Sequence, residues 1–429
     1  MKLFLLFVFV WIAGILPAQE LSDKALLDTV QRQTFRYFWD FGHPVSGLAR
    51  ERTDTVHINH EVVTVGGSGF GVMAIIVGVE RGFITRAQGV ERLLKMVHFL
   101  DEKAERWHGV WPHWLNGTTG KAIAFSEKDD GADVVETSFL FEGLLMAHQY
   151  FDRTNPQETE LRQEIDKLWR EADWSWFTNG QHVLFWHWSP RYGWEMNHPI
   201  HGYNEALVTY VLAAASPTHP ISDSVYHKGW ATGPIFKNEK EFYGIPLPLG
   251  MDYGGPLFFT HYSYLGLDPR GLRDKYADYW QQNVNHTLIN HRHAIVNPNG
   301  YKDYGADSWG FTASDGNGGY FAHDPLNDRG VISPTAALSA FPYTPEYSMR
   351  ALKHFYYDLG DSLWGDYGFK DAFNPTACWV ADSYLAIDQG PVIGMIENYR
   401  TGLLWKLFMS HPDVKKGLEK LGFETIPCK

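Results

Sequence analysis

The sequence predicts an all-α protein, an (α/α)6 barrel with long loops and a small β-hairpin lining a cleft. Helical apolar spacing recurs along the whole length, while strand-like alternation is confined to one short stretch. The connections between paired helices are long and rich in Gly, Asn and aromatic residues, as expected where loops at one end of a helical barrel build the site.

The first amphipathic segment, Leu21 to Phe41, carries Leu26, Leu27, Val30, Phe35 and Phe38 on one side. Gly69 to Phe83 and Arg86 to Trp107 follow, the latter with Leu93, Leu94, Met96, Val97 and Leu100 at helical spacing. Next come Asp133 to Phe151, the charged Pro156 to Phe177, and Asn204 to Ala215, closed by Ser216-Pro217. Val183 to Trp188 reads as a strand with a hairpin partner near Tyr192 to Met196. Later helices are expected at Arg273 to His291, Pro334 to Phe341, Pro345 to Leu359, Trp379 to Ile387, Pro391 to Met409 and Asp413 to Leu421. The aromatic content of the long connections Phe236 to Phe259 and Asn297 to Gly330 argues against disorder and for a functional role.

Met1-Lys2, the apolar run Leu3 to Leu16 and Pro17-Ala18-Gln19 read as a secretory signal peptide over residues 1–19, too short to span a bilayer. Export to the periplasm or beyond is expected, with residues 20–429 forming a single catalytic domain and a monomer. No later segment reads as transmembrane. Cys378 and Cys428 are too few for a disulfide framework, although one bridge between them is compatible with the sequence.

A net charge of -13 makes nucleic acid, anionic membranes and acidic polymers poor partners, so a neutral ligand is expected. Aromatic residues reach 15%, and many lie beside Gly, Asn, Asp and His in loops. Aromatic faces take the C-H faces of sugar rings, and short polar groups take their hydroxyls.

The run Asp129-Asp130-Gly131-Ala132-Asp133-Val134-Val135-Glu136 places four acids against an apolar helix. Desolvation and mutual repulsion raise such pKa values toward the range useful for proton transfer. Asp129 and Asp130 serve equally well as helix caps, whereas Asp133 and Glu136 share one helical face inside the apolar pattern. In His198-Pro199-Ile200-His201-Gly202-Tyr203-Asn204-Glu205, Asn204 can cap a helix and leave Glu205 in its first turn. Serving the helix dipole is the plain alternative for Glu205, but desolvation by Tyr203 and Trp194 would make it a general acid. Asp388 falls in the turn before a helix started by Gly390-Pro391, where it could cap or line a cleft. Glu397 and Arg400 read most simply as a structural pair. His261, Tyr262, Trp309, Asp315 and Tyr320 lie in two binding-loop candidates, with core packing equally open for each aromatic.

Metal and cofactor chemistry find no support. The His pairs lack the His-Glu-x-x-His spacing, and no calcium loop, phosphate cradle, Gly-x-Ser-x-Gly elbow or cysteine signature appears.

Several motifs, in order, resemble the bacterial glucoamylase-like family that includes the endo-β-1,2-glucanases of glycoside hydrolase family 144. They are Asp133-Val134-Val135-Glu136-Thr137, Gly202-Tyr203-Asn204-Glu205-Ala206, Gly255-Pro256-Leu257-Phe258 with His261-Tyr262-Ser263, Trp309-Gly310-Phe311-Thr312-Ala313, Ser333-Pro334-Thr335-Ala336-Ala337, and Asp388-Gln389-Gly390-Pro391 with Glu397-Asn398-Tyr399-Arg400. The resemblance implies an (α/α)6 barrel and an anomer-inverting hydrolase of β-1,2-glucan. It makes Glu205 the best general acid and leaves Asp133, Glu136 and Asp388 as candidates for activating water, with an acid of the 129–136 run preferred, directly or through a hydroxyl relay. Asp130, Trp194, His201, Tyr203, His261, Tyr262, Trp309, Asp315, Tyr320 and Arg400 are the expected substrate contacts. The rival classes are a polysaccharide lyase using His261 and Tyr262, a transglycosylase, and a glycan-binding protein without turnover.

Overall fold

The computed structural model describes residues 20–55 and 58–425. The expected signal peptide and Cys428 lie outside the described residues, and Cys378 is an exposed free thiol. The principal helices are α1 (Asp23–Trp39), α2 (Val65–Glu80), α3 (Arg86–Glu102), α4 (Val134–Tyr150), α5 (Pro156–Glu171), α6 (Leu207–Ala215), α7 (Tyr279–Val296), α8 (Pro334–Leu338), α9 (Pro345–Lys353), α10 (Ala386–Thr401), α11 (Leu403–Ser410) and α12 (Pro412–Lys420). None of the described helices is long and apolar enough to cross a membrane.

These helices fall into two kinds. In α2, α4 and α6 the apolar residues run all the way round, and every residue from Val65 to Gly78, Val134 to Ala147 and Leu207 to Ala215 is buried. Others, such as α3 and α5, bury one face only and pack together on the outside. α2 lies between α4 and α10, α6 lies beside α4, and α1 covers α2 and α10. α2 and α4 approach to backbone contact: a Cβ on Gly69 would meet the Phe139 carbonyl oxygen at 2.1 Å, and one on Gly143 would meet that of Gly69 at 2.3 Å. Only glycine admits so close a crossing.

The buried helices begin at one end of the molecule. The Gly66 N-H, in the first turn of α2, donates to Glu136 in the first turn of α4 at 2.9 Å. Further in, the hydroxyls of Ser138 in α4 and Thr209 in α6 are 2.7 Å apart. Thr335 at the start of α8 donates its hydroxyl to the Asp388 carbonyl in the first turn of α10 at 2.7 Å. Free N-H groups and the positive ends of several helix dipoles therefore converge where the acids stand.

Strands are short and peripheral. Val62–Thr64, Trp114–Asn116 and Ala122–Ile123 form one small sheet, and the long connections fold as the hairpins Lys237–Phe242 with Ile245–Leu249 and Ala313–Gly316 with Gly319–Ala322. The strand expected over Val183 to Trp188 shrinks to His187–Trp188, and its partner is Ala132–Asp133, not Tyr192 to Met196. Reciprocal backbone bonds between Ser189 and Gly193 turn the chain before a second strand can form. The helix expected over Trp379 to Ile387 is instead a strand at Trp379–Val380, paired with Phe373–Asn374, and α10 begins only at Ala386. α7 starts at Tyr279, six residues later than expected (279 − 273 = 6), because the Asp278 carboxylate takes the Gln281 N-H and caps it there.

Candidate active site

A cleft of about 790 Å³ opens at the end where the buried helices begin, lined among others by Thr64, His113, Phe125, Asp315, Tyr320 and Ile387. Two groups of acids flank it.

The first group grows from the start of α4. Asp133 is itself the N-cap, its Oδ1 accepting the N-H groups of Val135 and Glu136 at 3.0 and 2.9 Å. Its Oδ2 faces His113 Nδ1 at 3.1 Å, Trp186 Nε1 at 3.3 Å and His187 Nε2 at 3.5 Å. Capping was the role expected of Asp129 and Asp130; Asp133 has it because its β-region backbone stands just outside the helix. Burial acts to raise the Asp133 pKa, but the hydrogen bonds and charges of His113 and His187 outweigh it and hold the carboxyl below the usual carboxylate range. Burial likewise acts to lower both imidazoles, and the neighbouring acids overcome it and raise each to about 9. Asp129 lies 3.2 Å from His187. His113, Asp129 and Asp133 each bring one ligand atom within 4.8 Å of the others, a spacing that would suit a cation. The protonated imidazoles already compensate these acids, so we read the trio as an ion-pair network.

Glu136 is buried beneath Gly66, and burial together with the Asp133 charge raises its pKa despite His113. Glu205 stands just before α6, half-buried, with its backbone carbonyl bonded by Ser263. Burial lifts it to about 7, and the charges of Glu136 and Asp133 push the same way. Asn204 accepts the Ala206 N-H at 3.0 Å, a turn that ends one residue before the helix.

The second group stands across α2, at the start of α10. Asp388 is buried, and its pKa is pushed well above the usual range by burial and by the adjacent Asp371 carboxyl. Nearby, Arg52 binds Glu51 at 2.8 Å, Asp315 at 3.0 Å and Asp54 at 3.3 Å, while Ser383 donates its hydroxyl to Asp315. Tyr262 links the two groups. Burial raises its hydroxyl pKa strongly, and the charges of Asp388, Glu205 and Glu136 all reach it.

The remaining sequence candidates divide. Asp315 and Tyr320 line the cleft, Tyr320 being 47% exposed. Asp130 is held by Arg191 on the rim. His201 bonds the Gly229 carbonyl at 3.0 Å, and Trp194 packs on Trp176 at 4.8 Å. Tyr203, expected to cover Glu205, is a core residue whose hydroxyl donates to Asn283 at 2.8 Å. Trp309 is fully buried against His291, and His261 is buried near His286, so none of these three presents a surface to substrate. Arg400 lies twelve residues beyond Asp388 on α10 (400 − 388 = 12), about 18 Å along the helix axis. It binds Asp28 and Gln31 there, and Glu397 pairs with Arg81 rather than with Arg400.

Sequence reasoning missed Glu51, Arg52, Asp371, Phe125 and His113. Phe125 is 51% exposed, its ring stacked on His113 at 4.2 Å, an apolar platform on the cleft wall. The run Arg50-Glu51-Arg52-Thr53-Asp54 offered a signal, but alternating charge normally marks a solvated surface.

Residues 197–412 match the family model Glycoamylase, described as "Putative glucoamylase". The chain is 48% identical over 94% of its length to an exo-β-1,2-glucooligosaccharide sophorohydrolase (non-reducing end) from Parabacteroides distasonis, and it spans 58% of that curated relative's length. Among solved structures it is similar to a protein from Bacteroides uniformis of the same description as the family, with 64% identity, a TM-score of 0.94, and coverage of 95% of this chain and 99% of the other. It is also similar to an endo-β-1,2-glucanase from Chitinophaga pinensis in complex with sophorotriose and glucose, with 57% identity, a TM-score of 0.92, and coverage of 95% and 99%.

Proposed function

The chain belongs to the glucoamylase-like family, and on that premise we propose that it is a glycoside hydrolase cleaving β-1,2-linked glucan with inversion at the anomeric carbon. The alternation of buried and outer helices along the chain supports an (α/α)6 barrel, with the short helical turns at 257–265 in the fourth inner position.

One observation carries the mechanism: the charges of Glu136 and Glu205 on one side and of Asp388 on the other all reach Tyr262, and Glu205 is held near neutrality. A carboxyl with a pKa of about 7 is still substantially protonated at neutral pH and gives its proton readily, which suits a general acid. Glu136 shares the α4 and α6 wall with Glu205, and its charge helps keep Glu205 protonated. Asp133 is committed to capping α4 and to its two histidines. Asp388, on the opposite wall, is therefore the acceptor we assign to the attacking water, directly or through a sugar hydroxyl. Inversion places acid and acceptor on opposite sides of the scissile bond, roughly 6.5 to 9.5 Å apart. Phe125 and Tyr320 offer ring faces to the glucose units, and Arg52 and Asp315 offer polar partners to their hydroxyls.

Glu136 as acceptor is the second reading, favoured by its raised pKa and its place beside His113. A lyase is disfavoured, because burial and His286 press His261 down to about 3 and leave it a weak base. The higher identity to the Chitinophaga pinensis endo-glucanase, 57% against 48% for the exo-acting relative, supports endo cleavage. Incubation with a panel of β-glucans tests the assignment. A ladder of saturated oligosaccharides from the β-1,2 polymer alone is expected, and cleavage of another linkage with the β-1,2 polymer untouched would overturn it.

A further inference from the structure

Asp371 and Asp388 are both enclosed, each 2% exposed. Asp371 precedes the strand Phe373–Asn374, with its backbone N-H on the Ser383 carbonyl, and Asp388 lies in the first turn of α10. Their side chains line one small enclosed space, near enough for each carboxyl to act on the titration of the other. Each also has one buried oxygen with no protein donor, Asp371 Oδ1 and Asp388 Oδ2. Two buried carboxylates set side by side, each with an oxygen that no protein group donates to, repel one another when both are ionised, and one shared proton relieves both.

The surroundings say which partner keeps it. The other oxygen of Asp371 accepts the Asp315 N-H at 2.7 Å, which favours charge on Asp371 and leaves the proton on Asp388. Nearby acids outnumber cations: Glu51, Asp54 and Asp315 share Arg52, and Lys370 is bonded to Asp382. Tyr320, which lines the cleft, lies near enough to both acids for their charges to reach its hydroxyl, and Tyr262 lies near Asp388. A space of about 10 Å³, lined by both acids with Thr335, Lys370 and Gln389, has room for one water.

We infer that Asp371 is a positioning residue: it shares one proton with Asp388, and the singly charged pair accepts the proton of the attacking water. The inference rests on the hydrolase reading with Asp388 as acceptor. As the water oxygen bonds to the anomeric carbon, its O-H bond breaks and the proton passes to Asp388, whose own proton moves across to Asp371, so that the pair ends with two protons and no charge. The bond from that carbon to the glycosidic oxygen breaks as Glu205 protonates the leaving oxygen and becomes charged. One proton returned from the pair to Glu205 through solvent restores both. Repulsion between the two acids raises the pKa at which the pair takes its first proton, and burial with the Asp315 charge outweighs the shared hydrogen bond and raises the second, so the pair takes up its second proton before an ordinary carboxylate would as pH falls.

The test is Asp371→Asn. An amide donor in place of the shared proton leaves Asp388 an ordinary, weaker base. The acid limb of the kcat profile on β-1,2-glucan should move to lower pH, with kcat at neutral pH down about 10- to 100-fold. A uniform loss with the limb unmoved would overturn the inference, because a purely structural role does nothing else. Carboxyl-labelled aspartate followed by ¹³C NMR against pH reads the pair without substrate. Two coupled titrations are expected in the parent, both above the ordinary range, and one at lower pH in the variant. Ordinary titration of every aspartate in the parent would overturn the pair even if the variant failed to fold. Absence of β-1,2-glucan cleavage by the parent would instead overturn the hydrolase reading and leave the NMR result to decide the pair.

Discussion

Ser138 Oγ and Thr209 Oγ1 stand 2.7 Å apart, buried, Ser138 following Glu136 and Thr209 following Glu205 into their helices. That contact ties the starts of α4 and α6 together and fixes two acids on one wall, with Asp388 left on the other. The division of labour between donor and acceptor follows from this placement.

Glu205→Gln removes the proton donor while keeping the shape of the side chain. Turnover of β-1,2-glucan should fall on the order of 10² to 10⁴. A substrate with a good leaving group should lose far less, because departure then needs little protonation. Steady-state rates on both substrates, with circular dichroism to confirm the fold, check this.

Activity of the parent should fall as pH rises through about 7, because a general acid must be protonated. Glu136→Gln removes a charge that helps burial raise Glu205, so the alkaline limb should shift to lower pH. A pH series of kcat/KM for the two proteins reads the shift.

Asp133→Ala leaves two N-H groups at the start of α4 without their acceptor, a loss of about 1 kcal/mol. It also leaves two imidazolium groups without their shared carboxylate, and breaking such a buried pair costs about 3 to 5 kcal/mol. Denaturant unfolding should show a total loss of about 4 to 6 kcal/mol, with Asp133→Asn losing less because its side-chain oxygen can still cap.

Glu142 lies fully buried in α4 with Gly266 N-H on one oxygen and nothing on the other, and burial raises its pKa well above the usual value. A raised folded pKa gives stability that is whole below the unfolded value and lost as pH climbs toward the folded one. The loss is about 1.4 kcal/mol for each pH unit between the two. Glu142→Gln does not titrate, so its melting temperature should vary less between pH 5 and pH 8 than the parent's, and it should be the more stable protein at pH 8.

Much of the helical frame was legible because apolar spacing is a local signal. Leu93, Met96, Val97 and Leu100 declare α3, and the unbroken apolar runs of α2 and α4 declare that they are enclosed. The start of α10 was not legible, since Trp379-Val380 is equally apolar whether it pairs as a strand with Phe373–Asn374 or coils. Among the site residues, Glu205 and Asp388 were visible as acids set against apolar helix starts. Asp371 was not: in Phe369-Lys370-Asp371-Ala372-Phe373 it looks like any surface acid, and only the fold brings it to Asp388. Trp309 and Tyr203 misled for the converse reason, because an aromatic beside glycine packs a core as readily as it meets a sugar.

The most direct measurement of the central claim is proton NMR of the first reducing end released from β-1,2-glucan, recorded before mutarotation. The account predicts that the α-anomer appears first with the parent and is absent over the same time with Glu205→Gln. A β-anomer appearing first, an unsaturated sugar, or undiminished release by Glu205→Gln would contradict it.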